Sequence, residues 1–246
     1  MKQTIKIFET EDQLASALAK EFQVSVNEQS KRNKDFYIAL SGGNTPALFF
    51  QKLASAQYRE NIVWQNIQFF WGDERCVAPD HPDNNYVMTK KNLLDHIYIP
   101  AKNIHRILGE DNPVAEAKRY AQEIESTVPM DNSGFPQFDW IFLGLGTDGH
   151  TASIFPGSDV LEDRKNICVV ATHPESGQKR ITMTLPIINH AKRVSFLVTG
   201  ENKASVAAKI LTGAEESKSL PAALIRPVNG SYEWYLDQAA GTKIRG

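Results

Sequence analysis

Two apolar runs in this chain lack the polar alternation of a half-exposed strand, and each leads into glycine. Residues 140–143 precede Gly144, and residues 196–198 lead through Thr199 to Gly200. A strand with one face in water alternates apolar and polar residues, so an unbroken run predicts a strand buried on both faces. Parallel strands covered by helices on both sides are buried in this way. The two runs therefore favour a parallel sheet between helical layers.

Strand and helix signals alternate along the chain, with no internal repeat and no long linker. The predicted strands are residues 5–8, 35–40, 67–71, 138–143, 168–171, 180–184 and 194–198. The predicted helices are residues 11–23, 46–54, 86–94, 114–126 and 203–212, with Pro46 at a first helical position. This alternation predicts an α/β fold: a single Rossmann-like three-layer domain over residues 1–246, with a mostly parallel, doubly wound sheet.

The composition is that of an ordinary globular protein, with 41% apolar and 23% charged residues in a chain of 246. A net charge of −2 argues against a nucleic-acid binder or a membrane-surface protein. Cys76 and Cys168 form no CxxC pair, and no apolar run has the length of a signal peptide core or a membrane span. We therefore predict a cytoplasmic protein without a nucleic-acid or membrane partner. We expect a monomer or small homo-oligomer, although the sequence does not give the oligomeric state.

In an open parallel sheet, ligands bind beyond the carboxyl ends of the strands, and polar segments follow four of the predicted strands. The first is Ser41-Gly42-Gly43-Asn44-Thr45-Pro46. Its two glycines allow a close approach of the backbone, and the helix that follows offers unpaired N–H groups. Ser41, Asn44 and Thr45 add further donors. The segment is suited to a phosphate, although a tight turn with a polar cap would use the same residues.

The second segment, Gly72-Asp73-Glu74-Arg75, places three charges directly after an aromatic strand. Arg75 is able to clamp a phosphate through two donors. Asp73 and Glu74 are candidates to hold Arg75 or to orient a sugar hydroxyl. A local surface ion pair is the alternative interpretation.

The third segment, residues 144–157, contains Asp148 and His150, two positions apart, among glycines that allow an unusual backbone path. A histidine titrates near neutral pH and is suited to general acid–base catalysis, and a carboxylate beside it orients the ring. A metal site would need further ligands at a suitable spacing, and the segment does not supply them. A structural histidine remains the other alternative.

The fourth group comprises Arg180, near a predicted strand, and Lys203, at the start of a predicted helix. A cation is disfavoured at a helix start, so Lys203 either points outward or meets an anion. Lys192 and Arg193 are predicted to be exposed charges that flank a strand.

Together these segments resemble the 6-phosphogluconolactonase family, part of a superfamily that also contains glucosamine-6-phosphate deaminases. The resemblance spans about residues 38–204, and its most specific part is residues 148–156, Asp-Gly-His-Thr-Ala-Ser-Ile-Phe-Pro. The remaining matching segments are residues 41–46, 72–75, 84–86, 180–184 and 196–204. The departures from the family pattern are Asn44, where serine is common, and Ala78, where proline is common; neither removes a charged group.

Two differences favour the lactonases over the deaminases. After the histidine, deaminases carry an Ile-Ala-Phe-Asn-Glu-Pro pattern whose glutamate helps to open the sugar ring, and residues 151–156 contain no glutamate. Deaminases also have tyrosine where this chain has Arg75. A deaminase-like or isomerase-like enzyme and a non-catalytic sensor of sugar phosphates remain as alternatives. Sensors of that type carry an added helix-turn-helix, for which this chain has neither spare length nor a basic segment.

The resemblance implies hydrolysis of 6-phospho-D-glucono-1,5-lactone to 6-phosphogluconate in the oxidative pentose phosphate pathway, with no metal or organic cofactor. With this phosphosugar lactone as substrate, we expect the phosphate to lie against residues 41–45, with charge supplied by Arg75 and Lys203. His150 would act as the general base that activates water, oriented by Asp148, and Arg180 would hold the sugar or the loop. The rate should therefore fall on acidification.

Overall fold

The computed structural model describes residues 2–244; Met1 and the last two residues of the predicted domain lie outside that range. The strands are β1 Lys2–Phe8, β2 Phe36–Leu40, β3 Ile67–Trp71, β4 Asp73–Arg75, β5 Trp140–Leu143, β6 Cys168–Thr172, β7 Lys179–Met183, β8 Arg193–Val198 and β9 Ser231–Asp237. The α-helices are α1 Glu11–Lys31, α2 Asn44–Ala54, α3 Ala56–Arg59, α4 Asn85–Asn92, α5 Pro113–Thr127, α6 Leu185–Asn189, α7 Ala204–Thr212 and α8 Gln238–Gly241. Short 3-10 turns link several of them.

Six strands form one sheet in the order β1-β9-β8-β5-β2-β3, and every neighbouring pair in it is parallel. Helices flank this sheet, and the central strand β5 is buried along its whole length. The prediction of an α/β fold with a mostly parallel sheet is thereby confirmed. The unbroken apolar runs arise because both faces of the central strands are covered.

A second, three-stranded sheet has the order β4-β7-β6 and is antiparallel. Residues 168–171 and 180–183 form strands as predicted, but they belong to this small sheet. Residues 73–75, predicted to be part of a loop, form its edge strand β4. Three residues are too few for a periodic pattern, so the sequence carries no signal for β4.

Helices α1, α2 and α4 differ from the prediction by two or more residues at one end, and α4 ends at Asn92 instead of residue 94. The first begins where expected, with Thr10 accepting a hydrogen bond from the backbone N–H of Gln13, but it continues to Lys31 instead of ending at residue 23. Beyond residue 23 only Val26 is buried, so the apolar stripe fades before the helix ends. Helix α2 begins at Asn44, two residues before Pro46, with Gly43 as its N-cap.

The parallel sheet brings the carboxyl ends of β2, β3, β5 and β8 to one edge. The segments that follow these strands, beginning at Ser41, Gly72, Gly144 and Thr199, therefore meet above that edge. The strands carry large, fully buried aromatic side chains, among them Trp71, Trp140 and Trp234. None of the helices within residues 2–244 combines the length and the apolar character that a membrane span requires.

Candidate active site

Two adjoining cavities lie at this edge of the sheet. The first, here called the His150 cavity, has a volume of about 170 Å³. It is lined by Ser41, Gly42, Asp73, Arg75, Asn85, Gly144, Leu145, Gly146, His150, Ala152, Arg180 and Lys203. The second, here called the α2 cavity, has a volume of about 370 Å³ and is lined by residues 42–46, 144–145, 197–199, Asn202 and Lys203. All the predicted site residues except Asp148 and Glu74 line one cavity or both.

Asp148 lies directly behind the predicted base. Its Oδ1 is 2.6 Å from Nδ1 of His150 and also accepts the backbone N–H of His150 at 3.1 Å. An ionised carboxylate only accepts, so Nδ1–H donates and Nε2 is the basic nitrogen. Within residues 2–244, Nε2 of His150 has no hydrogen-bond partner. Burial alone would raise the pKa of Asp148, but the hydrogen bonds and charge of His150 hold it below its usual value.

The imidazole of His150 is also confined by packing. The Phe155 ring lies against it, with 4.9 Å between the ring centroids. On another side, a Cβ added to Gly146 would lie 2.1 Å from Nδ1 of His150, so only glycine leaves room for the ring. Three neighbours therefore restrict the ring orientation while its Nε2 stays available.

Arg75 and Arg180 form a directly opposed pair across β4 and β7. Like charges in this position repel each other, and the carboxylates of Asp73, Asp83 and Glu74 oppose part of that effect at Arg180. Burial, and then the charge of Arg75, lower the pKa of Arg180. The Arg75 Nη1 group donates to the carbonyl of Asp83 at 2.5 Å. The two guanidinium groups make the His150 cavity attractive to an anionic ligand.

Asp73 joins the loop that carries His150 to strand β4. Its Oδ2 accepts a hydrogen bond of 2.7 Å from the hydroxyl of Ser153, and both side chains are buried. The backbone N–H of Ser153 in turn donates to the hydroxyl of Thr182 on β7. Between His150 and Ser153, Ala152 has a φ of 48°, in the left-handed region that costs free energy for a residue with a Cβ. These bonds hold the loop in that conformation.

Glu74 points away from the cavity and binds backbone groups. Its two carboxylate oxygens accept the N–H groups of Arg75, Asn85 and Tyr86 at 2.8 to 2.9 Å. Glu74 therefore ties β4 to the start of α4. Burial raises the pKa of Glu74 to about 7, and the hydrogen bonds from Asn85, Tyr86 and Arg75 oppose that effect. Of the two roles considered for Glu74, holding the Arg75 backbone is the one that fits this position.

The start of α2 and Lys203 face each other across the α2 cavity. Gly43 has a φ of 106°, which turns the chain into the helix, and the first N–H groups of a helix have no intrahelical acceptor. Thr45 shares a hydrogen bond of 2.7 Å with Thr199. Lys203 lies at the N-cap of α7, and burial lowers its pKa while the charge of Asp148 opposes the shift. Lys203 lines both cavities and is therefore the cation that connects them.

Sequence reasoning assigned no role to three residues of the His150 cavity: Asn85, Leu145 and Ala152. Asn85 was part of a segment that matches the family, but nothing in its neighbours along the chain indicates that it reaches the site. No group of three or more His, Cys, Asp or Glu side chains in residues 2–244 has an arrangement suited to a metal ion.

The comparison that decides the family is with a family model. The model described as glucosamine-6-phosphate isomerases/6-phosphogluconolactonase matches residues 9–234. This chain belongs to that family. The match covers every predicted site residue and both cavities.

Individual members of the family are similar over nearly the whole chain. A 6-phosphogluconolactonase from Haemophilus influenzae is 47% identical over 233 residues, which is 95% of this chain and 96% of the relative. The crystal structure of devB protein superposes with a TM-score of 0.92 at 46% identity, covering 99% of this chain and 100% of the other. A 6-phosphogluconolactonase structure from Trypanosoma brucei has a TM-score of 0.85 at 29% identity and covers 99% of each chain.

Proposed function

We propose that this chain hydrolyses 6-phospho-D-glucono-1,5-lactone to 6-phosphogluconate, with His150 as the general base. Its relative from Haemophilus influenzae carries the name of this enzyme. The observation that carries the proposal is the His150 cavity itself. It combines an imidazole, oriented by Asp148 and with its Nε2 available, with three cationic side chains, those of Arg75, Arg180 and Lys203.

The substrate phosphate lies in the α2 cavity, against the backbone of residues 42–45. The N-terminus of α2 and the ammonium group of Lys203 favour a dianion there. Because Lys203 lines both cavities, a phosphate beside it leaves the sugar ring to enter the His150 cavity. Arg75 and Arg180 add positive charge around the ring, and an anionic substrate relieves their mutual repulsion.

Hydrolysis then proceeds by general base catalysis. Neutral His150 takes a proton from water at Nε2, and the oxygen of that water forms a bond to the lactone carbonyl carbon. The tetrahedral oxyanion collapses, the bond from that carbon to the ring oxygen breaks, and the protonated His150 returns its proton to the ring oxygen. Asp148 stabilises the transient imidazolium. General base catalysis contributes typically 10²–10⁴-fold, and positioning adds to it.

The proposal also covers the cellular location, the oligomeric state and the partners of the enzyme. We place it in the cytoplasm, as a monomer or small homo-oligomer, with a small phosphosugar lactone as its partner and no nucleic acid, membrane or cofactor. A deaminase-like activity on glucosamine 6-phosphate and a purely sensing role are the alternatives to test.

The deciding experiment measures hydrolysis of freshly generated 6-phosphogluconolactone, with the spontaneous rate subtracted. The native chain should accelerate the reaction, and His150→Ala should lose at least about 100-fold of kcat while still binding 6-phosphogluconate. His96→Ala is the matched control, because His96 is exposed and its ring bonds only the carbonyl of Lys91 in the described structure. No acceleration by the native chain would refute the proposal, and ammonia release from glucosamine 6-phosphate would then identify the deaminase alternative.

A further inference from the structure

Asn85 is a buried amide with an unused acceptor beside the site. Its side chain lines the His150 cavity, although the residue is only 2% exposed. The Nδ2 group donates to the backbone carbonyl of Asp73 at 2.9 Å. The other polar atom, Oδ1, accepts no hydrogen bond from any residue in the range 2–244. Oδ1 is not among the fully buried unpartnered side-chain atoms of residues 2–244, so it keeps accessible surface at the cavity and is open to a ligand.

The orientation of this amide follows from its one hydrogen bond. A backbone carbonyl only accepts, so the NH2 group of Asn85 must face Asp73 and the carbonyl oxygen must face the opposite way. The opposite side is Gly42, where an added Cβ would lie 1.9 Å from Oδ1. Gly42 lines both cavities. The free acceptor therefore lies beside Gly42, on the His150-cavity side of the junction between the two cavities, because Asn85 lines only that one of the two.

Asn85 is also held rigidly before any ligand arrives. It is the first residue of α4, and Glu74 accepts its backbone N–H at 2.8 Å and that of Tyr86 at 2.9 Å. The N-cap residue Asn84 accepts the N–H of Val87 at 3.0 Å. An acceptor fixed in advance loses little conformational entropy on binding, which increases its contribution to affinity.

We propose that Asn85 is a specificity-determining residue whose Oδ1 accepts a hydrogen bond from a hydroxyl of the sugar ring. The inference rests on the proposed function, which places the phosphate beside α2 and the reacting carbon beside His150. Under that arrangement the ring hydroxyls pass the junction at Gly42, where the free acceptor lies. Glu74 acts as a positioning residue for Asn85. The site thus selects polyhydroxylated sugar phosphates over deoxygenated ones.

The test compares the natural lactone with its analogues deoxygenated singly at C2, C3 or C4. For the native chain, kcat/KM should fall about tenfold for at least one analogue, since one neutral hydrogen bond is lost. For Asn85→Ala, kcat/KM with the natural lactone should be about tenfold below the native value. With that analogue, kcat/KM of the variant should equal that of the native chain. Asn92→Ala is the matched control on the same helix, because Asn92 also donates to a backbone carbonyl and lines neither cavity. It should keep the native pattern.

An equal loss for all the substrates with Asn85→Ala, or no loss for any, would overturn the inference. If Asn85→Ala fails to fold, Asn85→Ser carries the same comparison, since it keeps a donor on a shorter side chain. If the native chain does not accelerate hydrolysis of any lactone, calorimetry measures instead the binding affinity for glucose 6-phosphate and for its deoxy analogues. If the native chain then binds glucose 6-phosphate more tightly than a deoxy analogue and Asn85→Ala does not, the role of Asn85 stands although the lactonase activity is refuted. If the native chain binds none of these sugar phosphates, both the proposed function and the role of Asn85 are refuted.

Discussion

The environment of His150 depends on its neighbours in space as much as on Asp148. The Asp148 carboxylate selects the tautomer, while Phe155 and the bare backbone of Gly146 restrict the plane of the ring. A general base must hold its nitrogen within hydrogen-bond reach of the attacking water. Filling the space at Gly146 with a side chain therefore tests the orientation of the His150 ring more directly than replacing His150 does.

Gly146→Ala should lower kcat about 100-fold with little change in the unfolding temperature. The new Cβ would lie 2.1 Å from Nδ1 of His150 and 2.5 Å from Oδ1 of Asp148, so the pair must move. A displacement of about 1 Å at a catalytic group costs on the order of 100-fold in rate. Steady-state kinetics and thermal unfolding check both parts of the prediction.

Gly72→Ala serves as the control for this substitution. A Cβ at Gly72 would make an ordinary contact of 3.6 Å with the carbonyl of Leu40, and Gly72 lines neither cavity. Its kinetics should match those of the native chain. Native kcat in Gly146→Ala would show that the orientation of the His150–Asp148 pair does not limit the reaction.

At the scale of elements, the start of α4 depends on one buried carboxylate. Glu74 accepts the backbone N–H groups of Asn85 and Tyr86 there, and also that of Arg75 on β4, and is 1% exposed. A carboxylate is favoured at a helix N-terminus, but the loss of water on burial is the larger effect and raises the pKa of Glu74 from 4.5 to about 7. The ionised form that binds the helix best is therefore costly to form at this position.

The linkage between this pKa and folding predicts a pH dependence for Glu74→Gln. Below pH 4.5 the carboxyl is protonated in both states, and between pH 4.5 and about 7 the unfolded chain ionises first. The native chain therefore loses stability through this group as pH rises across that window. Glutamine does not titrate. The free energy of unfolding of the variant, relative to that of the native chain, should therefore increase by on the order of 2 kcal/mol between pH 4.5 and 7.5.

Urea unfolding at several pH values measures that difference. Glu110→Gln is a control of opposite sign, because the hydrogen bond from Arg106 lowers the pKa of Glu110. Its carboxylate stabilises the fold at pH values above the pKa of the unfolded state. The free energy of unfolding of the variant should therefore fall relative to that of the native chain as pH rises. A difference between Glu74→Gln and the native chain that stays constant with pH would contradict the assigned shift.

For the molecule as a whole, the two ends of the chain meet in the same sheet. Strand β1 pairs in parallel with β9 along seven residues, so the first and last strands share hydrogen bonds. Charged side chains reinforce the join. Arg193 forms ion pairs with Glu21 of α1 and Glu233 of β9, and its guanidinium lies 3.5 Å from the centroid of the Trp140 ring. The prediction that Arg193 is an exposed charge is therefore wrong.

We predict that residues 1–246 unfold as one cooperative domain. Tryptophan fluorescence and far-UV circular dichroism should show coincident urea transitions, since six strands share one sheet. Trp71 on β3 and Trp234 on β9 report from different parts of that sheet, and both are fully buried. Trp71→Phe and Trp234→Phe each remove one fluorescence reporter. After correction for any loss of stability, the remaining fluorescence of each variant should give the same urea midpoint. Separate midpoints within a single variant would divide the chain into more than one folding unit.

Local sequence determined the central strands and much of the site. The apolar runs at residues 140–143 and 196–198 predicted buried parallel strands because burial on both faces removes polar residues from the run itself. The spacing of Asp148 and His150 predicted their contact, since side chains two positions apart along the chain are able to reach each other. In a parallel sheet, the segments after neighbouring strands must share an edge, so the convergence of residues 41–46 with 144–157 also followed.

Only the tertiary structure decided which distant groups meet. The opposition of Arg75 and Arg180 depends on the pairing of β4 with β7 across about 100 residues of chain, and three-residue β4 has no pattern to predict it. The position of Asn85 depends on the hydrogen bonds from the start of α4 to Glu74. The partial burial of Arg193 depends on α1 and β9 packing together. Periodicity records which face of an element is buried, but not which element covers it. Those choices follow from packing of the whole chain.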